Sequence, residues 1–171
     1  TNASTPIAIV ISGIKTFAGG ITNSGFIGAA NMGIQVGSFS NFSGGISNAG
    51  TISAGNSGIF IETMSTFTGG ITNSGTIIGG KGIVVPSTIS AFSGAIANSG
   101  EISVSGAAID ISLAPNNMTV DILGGTISGN ILGNGTANGD TVNFNLGGTF
   151  AYGSTITGVQ TVAVNSGTLF D

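Results

Sequence analysis

The chain has 171 residues and a net charge of −4, and only 5% of its residues are charged. Its cations are Lys15 and Lys81, without any arginine, which argues against nucleic acid and anionic membrane surfaces as partners, because both require clustered Lys and Arg. Cysteine and histidine are both absent, which excludes a disulfide framework, a cysteine nucleophile, a Ser-His-Asp triad and an ordinary zinc site.

The apolar residues are numerous but spread along the chain. They make up 40% of it, and the mean hydropathy is +0.53. They alternate with Ser, Thr, Asn and Gly, as half-buried strands require, and no run reaches the 18 or so apolar residues that span a bilayer. With 32 Gly and 3 Pro, we expect glycine to serve turns and close backbone packing. The sequence shows neither a signal peptide nor an initiating Met, so we expect a fragment or a processed form.

Taken in chain order, the sequence soon becomes periodic. Residues 1–6 are expected to be an irregular lead-in, and residues 7–11 (IAIVI) the first strand. The element FAGGITNSGFI then begins at Phe17 and recurs with small changes from Phe42, Phe67 and Phe92, so the same 25-residue step separates each copy from the next (17 to 42, 42 to 67, 67 to 92). A fixed period between about 20 and 50 residues indicates a repeat architecture.

Each repeat contains three predicted strands. In the third repeat they are residues 59–61, 65–72 and 76–78, separated by the turn segments Asn73-Ser74-Gly75 and Gly79-Gly80-Lys81-Gly82. Three strands and three turns describe one coil of a parallel β-helix, in which each strand pairs with its equivalent about 4.8 Å away in the next coil. We therefore predict an all-β fold, a parallel β-helix (solenoid) with three short strands per coil of about 25 residues.

Two columns of identical residues follow from the 25-residue step. One column is aromatic and the other consists of amides: Phe17, Phe42, Phe67 and Phe92, and Asn23, Asn48, Asn73 and Asn98. The Phe column is expected to stack in the core. The asparagines lie at the start of a turn, where stacked amides can bond from coil to coil and satisfy turn groups that would otherwise be buried unpaired. We favour this structural ladder over asparagine as a ligand-binding residue.

The regularity divides the chain into two parts. Residues 1–112 are predicted to form regular 25-residue coils, and residues 113–171 to continue the same solenoid with more divergent coils. Within the second part, residues 133–140 (GNGTANGD) are a predicted loop, and residues 141–146 alternate as a strand. With a 25-residue coil, the whole chain would make about 7 coils.

Two patterns in the sequence resemble a known family. The repeated GGITNSGTI element and the closing GDTVNFNLGGTF…ITGVQTVAVNSGTL are similar to the passenger domains of large Gram-negative autotransporters (type V secretion). The resemblance covers most of the chain. It implies a right-handed parallel β-helix that is secreted through the outer membrane and displayed on, or shed from, the cell surface. It also implies a parent chain that continues into a β-barrel translocator.

The carboxylates do not suggest a catalytic site. Glycoside hydrolysis generally needs two facing carboxyl groups, and the coil alignment places Glu62 and Asp110 two coils apart, or about 10 Å. Asp140 ends a loop that offers too few oxygens for Ca²⁺. The other acids, Glu101, Asp121 and Asp171, stand alone. We therefore predict no enzyme, no catalytic residue, no metal and no cofactor, and keep a polysaccharide-active β-helix enzyme using Glu62 or Asp110 as the alternative.

The outward-facing columns are where binding is expected. One column contains Val10, Gln35, Phe60, Val84 and Asp110, so Phe60 and Val84 lie side by side and point away from the core. An exposed aromatic beside an aliphatic residue marks a contact patch. The competing interpretation, a loop over both residues or scattered surface apolar side chains, is the more common case. An ice-binding face is less favoured, because the outward hydroxyl residues lack a regular Thr-x-Thr in every coil.

The sequence thus favours a structural and adhesive segment of a secreted or surface-displayed autotransporter passenger. Its expected partner is a host-cell surface protein or a glycan. A toxin-like, receptor-binding passenger that uses Phe60 and Val84 is a further alternative. A β-helix segment also has unpaired strand edges at both ends, so we expect both ends to continue into further structure in the parent protein, and the isolated segment to associate end to end.

Overall fold

The predicted fold class is confirmed by a computed structural model that describes residues 6–86, 89–114, 117–135 and 139–170. The described residues are all-β and form three parallel sheets, stacked as a β-solenoid of about six turns. No helix that could span a membrane occurs in these ranges. Residues 1–5 of the predicted lead-in, residues 136–138 of the predicted loop and Asp171 lie outside the described residues.

The strands have between 2 and 11 residues and are numbered in chain order. They are β1 (Ile9–Ile11), β2 (Thr16–Phe17), β3 (Ile21–Asn23), β4 (Phe26–Ala29), β5 (Met32–Val36), β6 (Phe39–Phe42), β7 (Ile46–Asn48), β8 (Thr51–Ile61), β9 (Met64–Thr68), β10 (Ile71–Asn73), β11 (Thr76–Val84), β12 (Ile89–Ser93), β13 (Ala95–Asn98), β14 (Glu101–Asp110), β15 (Thr119–Ile122), β16 (Thr126–Leu132), β17 (Thr141–Ala151), β18 (Ile156–Thr157) and β19 (Thr161–Phe170).

The strands of successive coils pair into three sheets. Sheet A has the order β1-β5-β8-β11-β14-β16-β18, with β4 also paired to β8. Sheet B has the order β2-β6-β9-β12, and sheet C the order β3-β7-β10-β13-β15-β17-β19. Sheet B therefore ends three coils before the other two, and the described residues between β14 and β15 and between β16 and β17 form no strand.

The pairing register follows the sequence period and then shortens. In sheet C, Ile71 pairs with Ile46 on one side and with Ile96 on the other, so the 25-residue step holds in both directions. The next members of this column are Val120, Val142 and Val162, and the step to each is shorter than the one before it (96 to 120, 120 to 142, 142 to 162). The shorter coils are those that follow the last sheet B strand.

Two predicted strand boundaries were wrong, and glycine is the reason in both cases. Residues 65–72 form two strands, β9 and β10, because Gly69 and Gly70 adopt φ values of +108° and +71° between them. Residues 79–82 form no turn but lie inside β11, where the register against β8 shifts between Gly79 and Lys81. A glycine-rich segment can be a turn or a β-bulge, and pairing with the neighbouring coil decides between them.

The Phe column is a continuous stack of rings in the core. The centroid of Phe42 lies 5.2 Å from that of Phe17 and 4.9 Å from that of Phe67, and Phe67 and Phe92 are 4.7 Å apart. Phe42 and Phe67 have no exposed surface. The stack follows from the parallel register, which places identical residues one strand spacing apart.

The Asn column is a chain of buried amides. In each step the side-chain Nδ2 of one asparagine donates to Oδ1 of the next across 2.7 Å. The bonds run from Asn23 to Asn48, from Asn48 to Asn73 and from Asn73 to Asn98. The amides also bond the turns, since Nδ2 of Asn73 reaches the carbonyl oxygens of Gly75 and Glu101. The chain of amides ends where Asn98 pairs with the apolar Ile122. It therefore ties together the four coils that follow the 25-residue period.

Candidate functional site

The outward column of sheet A lies as the alignment places it, side by side on successive strands. Val10 pairs with Gln35, Gln35 with Phe60, Phe60 with Val84, and Val84 with Asp110. Phe60 and Val84 lie outside the core cluster, yet Phe60 is half-buried and Val84 is only 8% exposed. The pair is therefore a small feature of the surface, with Phe60 as its more accessible member.

A charged cluster ends this column. Nζ of Lys81 lies 2.8 Å from Oδ2 of Asp110, and the Ser112 hydroxyl donates to Oδ1 across 2.6 Å. Burial raises the pKa of Asp110, but the bonds from Lys81 and Ser112 and the charge of Lys81 outweigh it, so the pKa lies below its usual value. The cluster joins two coils. Sequence analysis missed it because Lys81 was assigned to a turn, whereas it lies on a strand of the coil before Asp110.

Glu62 lies apart from this cluster. Its backbone N–H donates to the carbonyl of Val36 across 2.7 Å, and its Cβ atom lies so close to Gly37 that a Cβ atom added there would collide with it. Glu62 directly follows β8, whereas Asp110 lies on β14. The pairs Phe60–Val84 and Val84–Asp110 show that these strands are two strand spacings apart, or about 10 Å. Within the described ranges, no three His, Cys, Asp or Glu side chains gather as a metal-binding group.

Asp140 has a structural environment that the sequence did not reveal. It is fully buried, and its Oδ1 and Oδ2 accept the backbone N–H groups of Met118 and Asn134, each across 2.9 Å. Its own N–H donates to Oε1 of Gln160 across 2.6 Å. The carboxylate therefore connects the residue before β15 to the segment after β16. The bond from Asn134 lies within the predicted loop, but the loop motif does not signal the contacts with Met118 and Gln160, which come from other segments of the chain.

A shallow groove of about 600 Å³ runs along the corner between sheets A and B. Its floor and sides include Lys15, Ser40, Ser65 and Ser90, which occupy equivalent positions in the 25-residue repeat. Ser38, also in the groove, has a φ of +60°, the only positive value among the described residues other than glycine. A row of hydroxyl groups beside one ammonium group can bond a polyhydroxylated ligand. The 25-residue repeat could have revealed this row of serines, because they recur at the same step. They are not the outward hydroxyl residues that were weighed as an ice-binding face in the sequence.

Comparison of the chain with known proteins finds no relative. No protein-family model, no curated protein and no solved structure matches the chain. The fold is therefore established by its own coordinates, and the resemblance to autotransporter passengers rests on the sequence patterns alone.

Proposed function

We propose that the chain is a structural and adhesive segment of a secreted or surface-displayed bacterial autotransporter passenger. The observation that carries this proposal is the uninterrupted stacking of sheets A and C over about six turns, a rod about 30 Å long. Buried ladders of Phe and Asn join the four coils of the 25-residue period, so this part of the rod resists bending and can hold an attached domain at a distance. The GGITNSGTI element supports the autotransporter assignment.

The adhesive part of the proposal is based on the groove between sheets A and B. Its hydroxyl groups repeat from coil to coil, and Lys15 adds one cation at its first coil. A glycan chain on a host cell presents hydroxyl groups along its length and can bond several coils at once. Each contact is weak, and simultaneous contacts raise the overall affinity.

A binding screen with matched variants tests the adhesive role. The folded chain is applied to a glycan array and to host cells, beside Ser65→Tyr, which fills the groove, and Thr72→Tyr, the same change on the exposed outer face of sheet C in the same coil. Phe60→Ser tests the sheet A column in the same way. We expect Ser65→Tyr to abolish binding and Thr72→Tyr to retain it. Absence of binding by all folded proteins would contradict the adhesive role and leave a spacer.

The proposed location is the bacterial cell surface or the extracellular medium, with a β-barrel translocator in the parent chain. Antibodies against this segment should label intact cells of its source, and protease added outside should remove the label. Labelling that requires permeabilised cells would contradict the proposed location.

A further inference from the structure

The lining of the groove between sheets A and B is part apolar and part polar. Met64 contributes a buried apolar side chain, and Ile14 contributes one that is 41% exposed. Ser65 and Ser90 add exposed hydroxyl groups beside them. A sugar ring has the same division, with an apolar face of C–H groups and hydroxyl groups around its edge. The groove is therefore suited to sugar rings that lie with one face on its apolar residues.

The polar side chains of the groove follow one another at the spacing of the coils. The backbone N–H of Ser40 donates to the Lys15 carbonyl across 3.1 Å, so these two residues lie side by side in adjacent coils. Ser65 and Ser90 continue the row, because the strands β6, β9 and β12 pair in register. Successive members are therefore about 4.8 Å apart, which is close to the length of one sugar unit in an extended glycan. A linear glycan along the row can place one sugar on each coil.

These side chains are not occupied by other parts of the described chain. Lys15 forms no ion pair there, whereas the other cation, Lys81, is held by Asp110. The hydroxyl groups of Ser65 and Ser90 form no hydrogen bond with the described residues. A ligand can therefore bond the ammonium and the hydroxyl groups without breaking a bond within the protein.

Ser38 has an unusual backbone conformation in the same groove. Its φ of +60° lies in the left-handed region, and Gly13, the equivalent residue one coil earlier, has a φ of +73°. Glycine adopts this conformation freely, whereas a serine pays a strain energy for it. What Ser38 has and Gly13 lacks is a hydroxyl group, which is exposed in the groove. Replacing Ser38 by glycine therefore removes a ligand-facing group without adding strain.

The charges around the groove differ along its length. Lys15 is the charged residue of the lining, and the remaining lining residues are neutral. Glu62 directly precedes Thr63, which lines the groove two coils after Lys15, or about 10 Å further along the axis. A carboxylate on a ligand is therefore attracted at Lys15 and repelled beside Thr63. An acidic sugar fits the Lys15 end, and neutral sugars fit the coils that follow.

We propose that the groove binds a linear glycan in one direction, with an acidic end sugar on Lys15 and neutral sugars on Ser40, Ser65 and Ser90. The acidic sugar is a sialic or a uronic acid, which share the carboxylate that Lys15 bonds. This inference rests on the adhesive role proposed for the groove and names the class of glycan. The contacts are exposed to solvent, so binding requires several sugars and weakens as the salt concentration rises.

The test is an NMR titration of the complete, isotope-labelled chain with three tetrasaccharides that share the same three neutral sugars. One ends in sialic acid, one ends in glucuronic acid, and one ends in a sialic acid whose carboxylate has been reduced to an alcohol. We expect at least one acidic tetrasaccharide to bind about tenfold more tightly than the reduced one. The backbone amide signals of Ser65 and Ser90 should shift on binding. The two acidic arms show which acid the groove prefers.

Three variants locate the acidic end and the hydroxyl contacts. Lys15→Gln should remove the preference for the acidic sugar and leave the affinity for the reduced tetrasaccharide unchanged. Thr72→Glu, which lowers the net charge by the same amount on the exposed outer face of sheet C, should retain the preference. Ser38→Gly should weaken the binding of all three tetrasaccharides by about fivefold without lowering the urea midpoint, a combination that a purely structural role of Ser38 would not produce.

The outcomes separate this inference from the adhesive role. Equal affinity for the acidic and the reduced tetrasaccharides, or a preference for acid that survives Lys15→Gln, would overturn the acidic glycan and its direction. The adhesive role would still stand in both cases, because a glycan binds. Failure of the folded chain to bind any of the three tetrasaccharides would overturn both proposals.

Discussion

Asn48 donates its side-chain Nδ2 to Oδ1 of Asn73, one coil further along the chain, across 2.7 Å, and both side chains are fully buried. Parallel in-register pairing makes this bond available in every regular coil, because it places each amide one strand spacing above the next. A chain of such bonds polarises its members in one direction and strengthens each of them. Damage to an inner member should therefore matter more than damage to a terminal one.

Replacement of Asn73 by Ala should destabilise the protein by about 2–4 kcal/mol, because it leaves the Asn48 donor and the Asn98 acceptor buried without their amide partner. Asn98→Ala, at the end of the ladder, should cost about 1–2 kcal/mol, since it removes one inter-amide bond where Asn73→Ala removes two. Urea unfolding of both variants measures the difference. Equal midpoints would contradict a cooperative ladder.

Phe67 is a residue of the aromatic stack with rings on both sides. Phe67→Ala should destabilise the protein by about 3–5 kcal/mol, because it removes a fully buried ring and both stacking contacts. Phe26→Ala is the matched control, since Phe26 is 73% exposed, and it should change stability by less than about 0.5 kcal/mol. Thermal or urea unfolding compares them, and similar losses in the two variants would show that the stack contributes little.

Stability should fall in acid through Asp110, whose folded pKa lies below the usual 3.8 because of Lys81 and Ser112. A lowered folded pKa contributes stability above the unfolded pKa, and this contribution disappears as the pH falls through the folded value. Asp110→Asn should therefore be less stable than the original chain at neutral pH, by about 1 kcal/mol given the 44% exposure of Lys81. The difference should shrink below about pH 3.8, and a difference independent of pH would exclude the ion pair as its cause.

Tyr152 is the single tyrosine of the chain, so tyrosinate absorbance reports on it alone. Its side chain is buried, and its hydroxyl lies 3.0 Å from the Gly129 carbonyl oxygen and 3.1 Å from that of Thr155. Burial raises its pKa from 10.0 to about 12. A spectrophotometric titration should find the folded midpoint above that of the urea-unfolded chain. The raised pKa contributes stability below pH 10, and this contribution is lost as the pH rises through about 12. Equal titration midpoints in the folded and the unfolded chain would show that the Tyr152 hydroxyl is exposed to water.

Substitutions of Asp140 should separate its charge from its shape. Asp140→Ala leaves the N–H groups of Met118 and Asn134 without the carboxylate, and we expect a loss of about 3–5 kcal/mol. Asp140→Asn keeps one acceptor oxygen but turns an NH₂ group towards the other N–H, so its loss should be intermediate. Urea unfolding ranks the two variants. An Asn variant as stable as the original chain would show that only one of the two bonds matters.

Prediction from the sequence succeeded where the same residues recur in every coil. The Phe and Asn columns could be aligned by counting, because a fixed step in a parallel solenoid makes sequence position and spatial position equivalent. Prediction was less complete at the candidate site. The position of Phe60 and Val84 on the outer column followed from the register, but their burial did not, because exposure depends on the packing of neighbouring coils.

The sequence by itself determined the parallel solenoid, its 25-residue step and the residues that stack, since alternation and periodicity are local properties of the chain. Only the tertiary structure decided which glycine segments turn and which form bulges, where sheet B ends, and that Lys81 meets Asp110 and Asp140 meets Met118. These features depend on contacts between coils whose lengths differ. No period in the sequence specifies such contacts, because they depend on how the backbone of each coil packs against the neighbouring coils.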